Sequence, residues 1–574
     1  MFSISVYNNK SIISDDEKEN GKLDFAYSQA LRNHLSYDVK DAEWSELYKR
    51  GIWDGKISLF NNKNQSFPTG LTNRVKDLFE ILKVECRFID KREKPNYNFP
   101  VQCDFGGKEL RDYQLASAQT SKKLQRGMLA LCTGAGKTMT SCELFKELGV
   151  SPVVFIVPGI ELLKQTQREF EKYLRLNGQP IKVGIAGGGL CSIDLNTVNV
   201  VTYQTALIAF DKKYLESKNK IVEDKTGGDG NSKPTEKLVS EYEVAKKVYE
   251  TSLIQAEKLS KNLDEKEKQK YIKEKTKLTL SVLKKSESAL SNRKKLIEQK
   301  KSVRDLIQKC QAFIVDEAHL ASVVIEELGN LAENAYYKLG LSGTPWRTDN
   351  QEIRIEGSLG RKIIEVSSSD LIERGFLVKP KIFMVDIKEN HEALTYHEIY
   401  NSNIVNNWER NYRIKQFAEE FKSKGRPTLI LVERREHGHL LESMIQDAVF
   451  VPGGDKGEVD PSDEEKNYRR RMLNSVENNE IILIATQWAN TGVDAPKISC
   501  LILAGSNQSS VTTYQQVGRV LRCVGKDVED STKNGKSDAV VIDFYVNQKN
   551  LKSHSNMRKK VYKRERAWEY YDIK

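Results

Sequence analysis

No stretch of the 574-residue chain approaches the roughly 20 consecutive apolar residues needed to span a bilayer. The longest apolar runs, such as Val153–Val157 and Ile481–Ala485, are strand-sized, so no membrane partner is expected. The N-terminus, MFSISVYNNK, lacks a basic region followed by an apolar core. A secretory signal is therefore not expected, and the cytoplasm is the expected compartment. No cysteine pair has Cys-x-x-Cys spacing. The eight thiols, at 86, 103, 132, 142, 191, 310, 500 and 523, read as reduced and buried rather than as a zinc or redox site. His437 and His439, next to Arg434 and Arg435, have no cluster of cysteines or carboxylates around them and read as an exposed polar stretch.

What is present is a composition of 39% hydrophobic and 30% charged residues, which excludes a mostly disordered, collagen-like or mucin-like chain. At roughly 100–200 residues per domain, the length predicts three to five domains. The net charge of +11 is unevenly distributed. Residues 211–310 hold 26 Lys and Arg against 17 Asp and Glu, whereas the rest of the chain holds 65 against 63. A basic balance favours a polyanionic partner, but here it describes one segment rather than the whole protein.

Residues 1–95 form one predicted unit. Around Gly51, Gly55 and Gly70, apolar and polar residues alternate as in short strands and turns, and Leu71–Leu82 has apolar residues at helical spacing. This predicts a small α/β domain. The charged stretch Lys91–Pro100, with two prolines, reads as a linker. From Leu110 to about Thr205, strand-like runs alternate with helical ones. The same rhythm returns at Phe313–Val315 and between Pro427 and Phe544. Such alternation predicts parallel sheets flanked by helices, in two similar domains at 96–375 and 376–574 that join near Gly375–Pro380.

Residues 211–310 interrupt the first of these domains. After the flexible stretch Gly227–Pro234, no Gly or Pro occurs from Thr235 to Cys310. Leu238, Tyr242, Ala245, Tyr249, Ala256, Leu259 and Leu263 follow a 4-3 alternation with one miss at Ser252, and a weaker seam runs through Leu283, Leu290 and Ile297. Both ends must return to one sheet, so the segment reads as an antiparallel hairpin of two helices of ~35 residues, projecting roughly 50 Å at 1.5 Å per residue. It serves either as a binding arm, a protein partner through 234–310 included, or only as a solvated charged pair.

Three local patterns carry chemistry. In Leu131-Cys132-Thr133-Gly134-Ala135-Gly136-Lys137-Thr138, a predicted strand runs into a predicted helix. The glycines let backbone N–H groups approach phosphate oxygens, Lys137 would reach the β- and γ-phosphates, and Thr138 would ligate Mg²⁺. Leu131 stands where the strict form of the pattern has its first glycine. In Phe313–His319 an apolar strand ends in two acids. Asp316 can hold Mg²⁺ and Glu317 can orient or deprotonate a water. In Gln515–Arg522, Arg519 and Arg522 are three residues apart and share one helical face, which suits the charge that develops on a transferred phosphoryl group.

In this order the patterns resemble those of the superfamily 2 helicases and translocases. Gln114 in LRDYQ resembles the glutamine that reads adenine. Val157–Gln165 is similar to motif Ia, GGG at 187–189 to Ib, TYQT at 202–205 to Ic, and DEAH at 316–319 to motif II. SGTP at 342–345 resembles motif III, 485–494 motif V, and 515–522 motif VI, with Gln516 where many members carry Arg. The resemblance implies two tandem RecA-like domains and use of ATP and Mg²⁺ through Gln114, Thr133, Gly134, Ala135, Gly136, Lys137, Thr138, Asp316 and Asp494. It assigns catalysis to Glu317, Arg519, Arg522 and Lys137, and coupling between sites to His319, Ser342, Thr344 and Gly492. Nucleic-acid contacts fall to Gly188, Thr202, Thr205 and Thr486. RGIWDGKISLF followed by FPTGL, ahead of such a core, is similar to the N-terminal module of the bacteriophage UvsW-type recombination helicases, whose members unwind branched DNA and drive branch migration. That likeness implies a phage-encoded protein acting on branched DNA in the host cytoplasm. The alternatives are an RNA-directed ATPase, or an ATPase-switched scaffold. Trp53 reads as a wedge or as core. The C-terminal MRKKVYKRERAWEYY reads as a nucleic-acid contact or as a docked terminal helix.

Overall fold

The computed structural model describes residues 1–574 apart from 40, 211–234, 321, 344–351, 389–394, 454–462, 487, 489–494 and 574. Two RecA-like parallel sheets organise the chain. Across the first, the strand order is Leu190–Ser192, Gly184–Gly187, Val198–Thr202, Val153–Val157, Ala312–Val315, Tyr337–Ser342, Arg126–Leu131 and Lys362–Val366. Only the edge strand Leu190–Ser192 is antiparallel to its neighbour. Val153–Val157, Val198–Thr202 and Ala312–Val315 are buried along their whole length. Strands covered on both faces need no polar alternation, which explains their continuous apolar runs.

The second sheet has the order Ala448–Val451, Ile482–Ala485, Thr428–Leu431, Cys500–Leu503, Asp538–Tyr545, Lys379–Asp386 and Glu569–Ile573, all parallel. The chain crosses between the sheets through the helix Ser368–Glu373. The last strand belongs to the C-terminal tail, which is docked. Its helix Lys549–Arg564 buries Arg558 and Tyr562 against Asp543, with Arg558 Nε donating at 2.7 Å and the Tyr562 hydroxyl at 2.7 Å. Removing one member of such a buried pair costs about 3–5 kcal/mol.

His437 departs from its reading as an exposed residue. It is fully buried, with Nε2 2.9 Å from Asn411 Oδ1, and burial pushes the imidazole down to about 3. His439 is exposed as expected. Among the cysteines, only 132, 142, 310 and 500 are buried; the other four are half-buried, and all eight are free thiols.

The N-terminal residues form a four-stranded sheet in the order Ser66–Pro68, Lys10–Asp15, Phe2–Val6, Cys86–Asp90, packed on helices Phe25–His34 and Thr72–Ile81. Val75, Leu78 and Phe79 are buried on the second helix, as its spacing predicts. Trp53 is half-buried and donates Nε1–H to the Lys56 carbonyl at 2.7 Å. Residues 91–101 follow as a strap rather than a free linker. Phe99 and Val101 are buried, and Asn98 Oδ1 accepts from Ser151 N and Oγ at 3.1 Å.

This small domain is seated on the helix Glu352–Leu359. Arg74 Nε donates to Glu356 at 2.6 Å, and a Cβ at Gly70 would lie 1.9 Å from the Glu356 carbonyl oxygen. No side chain fits there without backbone movement. Gly70→Ala is expected to lift the domain from its seat at a cost of about 1–3 kcal/mol. Thermal melting and limited proteolysis within 91–101 check this, and an unchanged melting temperature with unchanged cleavage would contradict it.

The insertion is a helical hairpin of unequal arms, Thr235–Leu259 and Glu265–Lys309, rather than two equal ones. The expected first stretch, Gly227–Pro234, lies outside the described residues. The seam holds through Ala245 and Ala256. Ser252, the residue that broke the pattern, lies in it and bonds Thr279 Oγ1 across the pair at 2.8 Å. Leu259 and Leu263 fall out of the seam and are exposed, because the turn begins at Ser260, which is buried instead. Asp264 caps the second helix, accepting from Lys266 N and Glu267 N at 2.9 Å.

Candidate nucleotide and nucleic-acid site

The order of the first sheet separates its C-terminal edge into two halves. The strands ending at Leu131, Val315 and Ser342 are neighbours, and they carry the phosphate-loop pattern, the acidic pair and the SGT pattern. The strands ending at Gly187, Thr202 and Val157 lie on the other side of Ala312–Val315. In open parallel sheets, ligands bind outside the carboxyl ends of the strands.

The loop after Leu131 turns with Gly134 at φ +86° and Gly136 at φ +80°, and the helix Lys137–Leu148 starts directly behind it. Gln114 and Tyr113 brace the loop from the side. Gln114 Nε2 donates to the Ala135 carbonyl at 3.0 Å and the Tyr113 hydroxyl donates to the same oxygen at 2.8 Å. Lys137 Nζ donates to Glu317 Oε1, and both side chains are about one-fifth exposed. Thr133 and Thr138 are half-buried at the loop.

Glu317 sits at φ +48°, an uncommon conformation for a non-glycine residue. It is held there by its own N–H, which donates to Asp316 Oδ1 at 2.9 Å, and by the Tyr203 hydroxyl, which donates to the Asp316 carbonyl at 2.8 Å. Burial pushes the Asp316 carboxyl up to about 6, opposed by Lys137 and reinforced by Glu317. Burial also raises Glu317, but Lys137, His319 and Arg519 together hold it below its ordinary value. Burial lowers Lys137, and the two carboxylates outweigh that and raise it. His319 Nδ1 lies 2.7 Å from Ser342 Oγ and 3.5 Å from Glu317 Oε2, so the SGT segment touches the acidic pair through one imidazole.

The second lobe closes over this site. The helix Ser510–Val520 follows the strand Cys500–Leu503 and brings Gly518 against the phosphate loop, where a Cβ would lie 2.8 Å from Thr133 Cβ. Gln515 Nε2 stands 3.5 Å from His319 Nε2. Arg519 is close enough to act on the Glu317 charge, and Arg522 Cγ lies 3.6 Å from where a Gly134 Cβ would be. Gly343 abuts Leu131 and Thr133 from the other side.

Two residues that the sequence reading missed also build the site. Tyr203 supports the acidic turn, and its place inside TYQT was the available signal. Lys536 is buried and donates Nζ–H to the carbonyls of Pro496, Ile498 and Arg522 at 2.6, 2.8 and 2.9 Å. It thereby ties the exit of the 485–494 segment to the end of the arginine pattern.

On the other half of the edge, Thr202 is buried and caps the helix Tyr203–Ala209. Its Oγ1 donates to Thr205 Oγ1 at 2.9 Å and accepts Thr205 N–H at 3.3 Å. Gly188 is exposed at φ +58°. Thr486 Oγ1 accepts Gly453 N–H at 2.7 Å in the second lobe. Thr344, Gly492 and Asp494 lie outside the described residues.

Glycines at positive φ, a lysine opening a helix, paired acids at the end of a nearby strand and arginines from a second RecA-like lobe form a two-lobed nucleotide site that resembles that of the superfamily 2 helicases, and family models match the chain in parts. Residues 107–225 match the family Type III restriction enzyme, res subunit; residues 412–524 match the Helicase conserved C-terminal domain. More particularly, residues 23–86 match the family DNA helicase UvsW, N-terminal. Among curated proteins, the chain is similar to the ATP-dependent DNA helicase uvsW of Enterobacteria phage T4, with 24% identity over 43% of this chain and 48% of that protein. It is also similar to the DNA 3'-5' translocase XPB2 of Sulfurisphaera tokodaii, with 37% identity over 17% of this chain and 20% of that one. The chain spans less than half the length of these curated relatives. The crystal structure of T4 UvsW aligns with 100% of this chain and 99% of its own, at 16% identity and a TM-score of 0.40.

Proposed function

We propose that the chain hydrolyses ATP to translocate along DNA and remodels branched substrates, unwinding or branch-migrating forks, junctions and D- or R-loops. The observation that carries this reading is one pocket built from both lobes, with Gly518 against Thr133 and the Arg519 charge acting on Glu317. The match of residues 23–86 to a UvsW N-terminal family supports DNA as the polymer, and the likeness to a phage helicase supports action in a host cytoplasm. Among the described residues, no helix is long and apolar enough to cross a membrane.

The residues fit a magnesium nucleotide: a loop with two glycines at positive φ, one ammonium, and two adjacent, largely buried carboxyls, one of them paired to that ammonium. Lys137, Thr138 and Asp316 would hold ATP and its Mg²⁺, and the metal when bound neutralises charge on the phosphates. Lys137 exchanges Glu317 for phosphate, which frees the Glu317 carboxylate to orient water and accept its proton. Arg519 and Arg522 approach only when the lobes are together, so hydrolysis is coupled to lobe movement. His319 and Ser342 connect that movement to the strand ends where Gly188, Thr202, Thr205 and, on the second lobe, Thr486 follow the phosphate backbone.

ATPase assays with forks, four-way junctions, single-stranded DNA and RNA test the reading, together with strand exchange on the same junctions. Branched DNA is expected to stimulate turnover most and to be remodelled. Stimulation by RNA alone would overturn the choice of polymer.

A further inference from the structure

Nearly all of the protein's net positive charge lies on one helix. The second hairpin helix, residues 265–309, has 15 Lys and Arg against 6 Asp and Glu, whereas the first, residues 235–259, has 4 against 5. The two helices pack along the same seam, so this imbalance belongs to one side of the arm. Within the second helix, Thr276, Leu290, Arg293 and Lys300 are turned inward and buried. Lys266, Lys270, Lys273, Lys277 and Lys284 are all exposed. Their spacings of 4, 3, 4 and 7 keep them on one face.

Three features separate this stripe from an ordinary solvated surface. Among the described residues, none of the five ammonium groups has a carboxylate within ion-pair distance. Like charges three and four residues apart oppose the helix that carries them, so the pattern works against local stability unless an external polyanion relieves it. The arm is also rooted beside the strand ends proposed to follow the phosphate backbone. Val303, Leu306 and Ile307 share a core with Tyr203, Ala206 and Ala209 of the helix capped by Thr202, and Arg304 Nη1 donates to the Ala209 carbonyl at 3.2 Å.

We infer that the exposed lysine face of the second hairpin helix is a second nucleic-acid site, an arm that grips duplex DNA by its phosphates ahead of or behind the motor. From Lys266 to Lys284 the face is ~27 Å long at 1.5 Å per residue, enough to follow about 8 base pairs. It makes no base contact, so the grip is independent of sequence. It sets how tightly DNA is held, and the nucleotide site is left as it is.

This inference rests on the motor acting on DNA, and the test separates the two. The full chain carrying Lys→Gln at 266, 270, 273, 277 and 284 is compared with the wild type and with a five-fold Lys→Arg variant. Binding to a 30-base-pair duplex is measured across a salt series, alongside DNA-independent ATP turnover and thermal melting. Each phosphate contact contributes about 0.9 to the slope of log K against log salt. With all five contacts removed, the Gln variant is therefore expected to lose about 4.5 from that slope and at least tenfold in affinity at 0.1 M salt. The Arg variant should bind like the wild type, with basal turnover unchanged in both and melting not lowered in either. An unchanged slope in the Gln variant would overturn the inference and leave a solvated face or a protein-binding one. An Arg variant as weak as the Gln variant would overturn it as well. A wild-type protein that binds no nucleic acid would instead overturn the motor reading.

Discussion

Replacing Arg519 with Ala is expected to lower ATP turnover by about 10³-fold or more while leaving ATP affinity within a few-fold. The helix that carries Arg519 touches the phosphate loop through Gly518, where no Cβ fits without displacing Thr133. From there the guanidinium acts on Glu317. A group that meets the phosphates only as charge develops contributes to the transition state rather than to the ground state, so kcat falls and KM holds. Arg519→Lys keeps the charge but loses the planar fork, and partial recovery is the expected result. Steady-state kinetics at saturating DNA check this. A rise in KM with kcat intact would contradict it.

Lys137→Ala is expected to abolish turnover and weaken nucleotide binding at least 100-fold, with duplex DNA affinity unchanged. The substitution removes the cation that offsets two buried carboxyls. Without Lys137, Glu317 loses the largest of the charges that hold its carboxyl down and keeps only His319 and Arg519 against burial, and Asp316 is pushed further up. The two carboxylates then lack the ammonium beside them, and the nucleotide loses the cation that would meet its β- and γ-phosphates. Removing one partner of a buried pair costs about 3–5 kcal/mol, and the lower end applies here because both side chains keep about a fifth of their exposure. Equilibrium binding of a fluorescent nucleotide and strand exchange on four-way junctions are the measurements. ATP-driven remodelling by the variant would contradict the assignment.

The nucleotide half of the site was legible in the sequence because its chemistry is local. Gly134, Gly136 and Lys137 are contiguous, and Asp316 and Glu317 end an apolar strand whose burial on both faces shows directly as Phe313–Val315. What was not legible depends on partners distant in sequence. His437 looked exposed because Asn411, the residue it bonds, is 26 positions away. The tail read equally as a nucleic-acid contact or as a docked helix, because the strand Glu569–Ile573 that follows the helix pairs with Lys379–Asp386, nearly two hundred residues upstream. Gly70 and Gly518 read as ordinary glycines until the surfaces they touch are brought together. The hairpin was legible through Ala256, where the 4-3 spacing dominates. Its second seam was faint because Thr279, Ser286, Arg293 and Lys300 occupy alternate positions where apolar residues would strengthen it.

The central claim is that a pocket on one lobe is completed by guanidinium groups from the other. Binding of ADP with aluminium fluoride, a mimic of the phosphoryl group in flight, tests it most directly when compared with ADP alone in the wild type and in the Arg519→Ala/Arg522→Ala protein. The account predicts that the double variant loses at least 100-fold in affinity for the mimic and little for ADP. Equal affinity of both proteins for the mimic would contradict it.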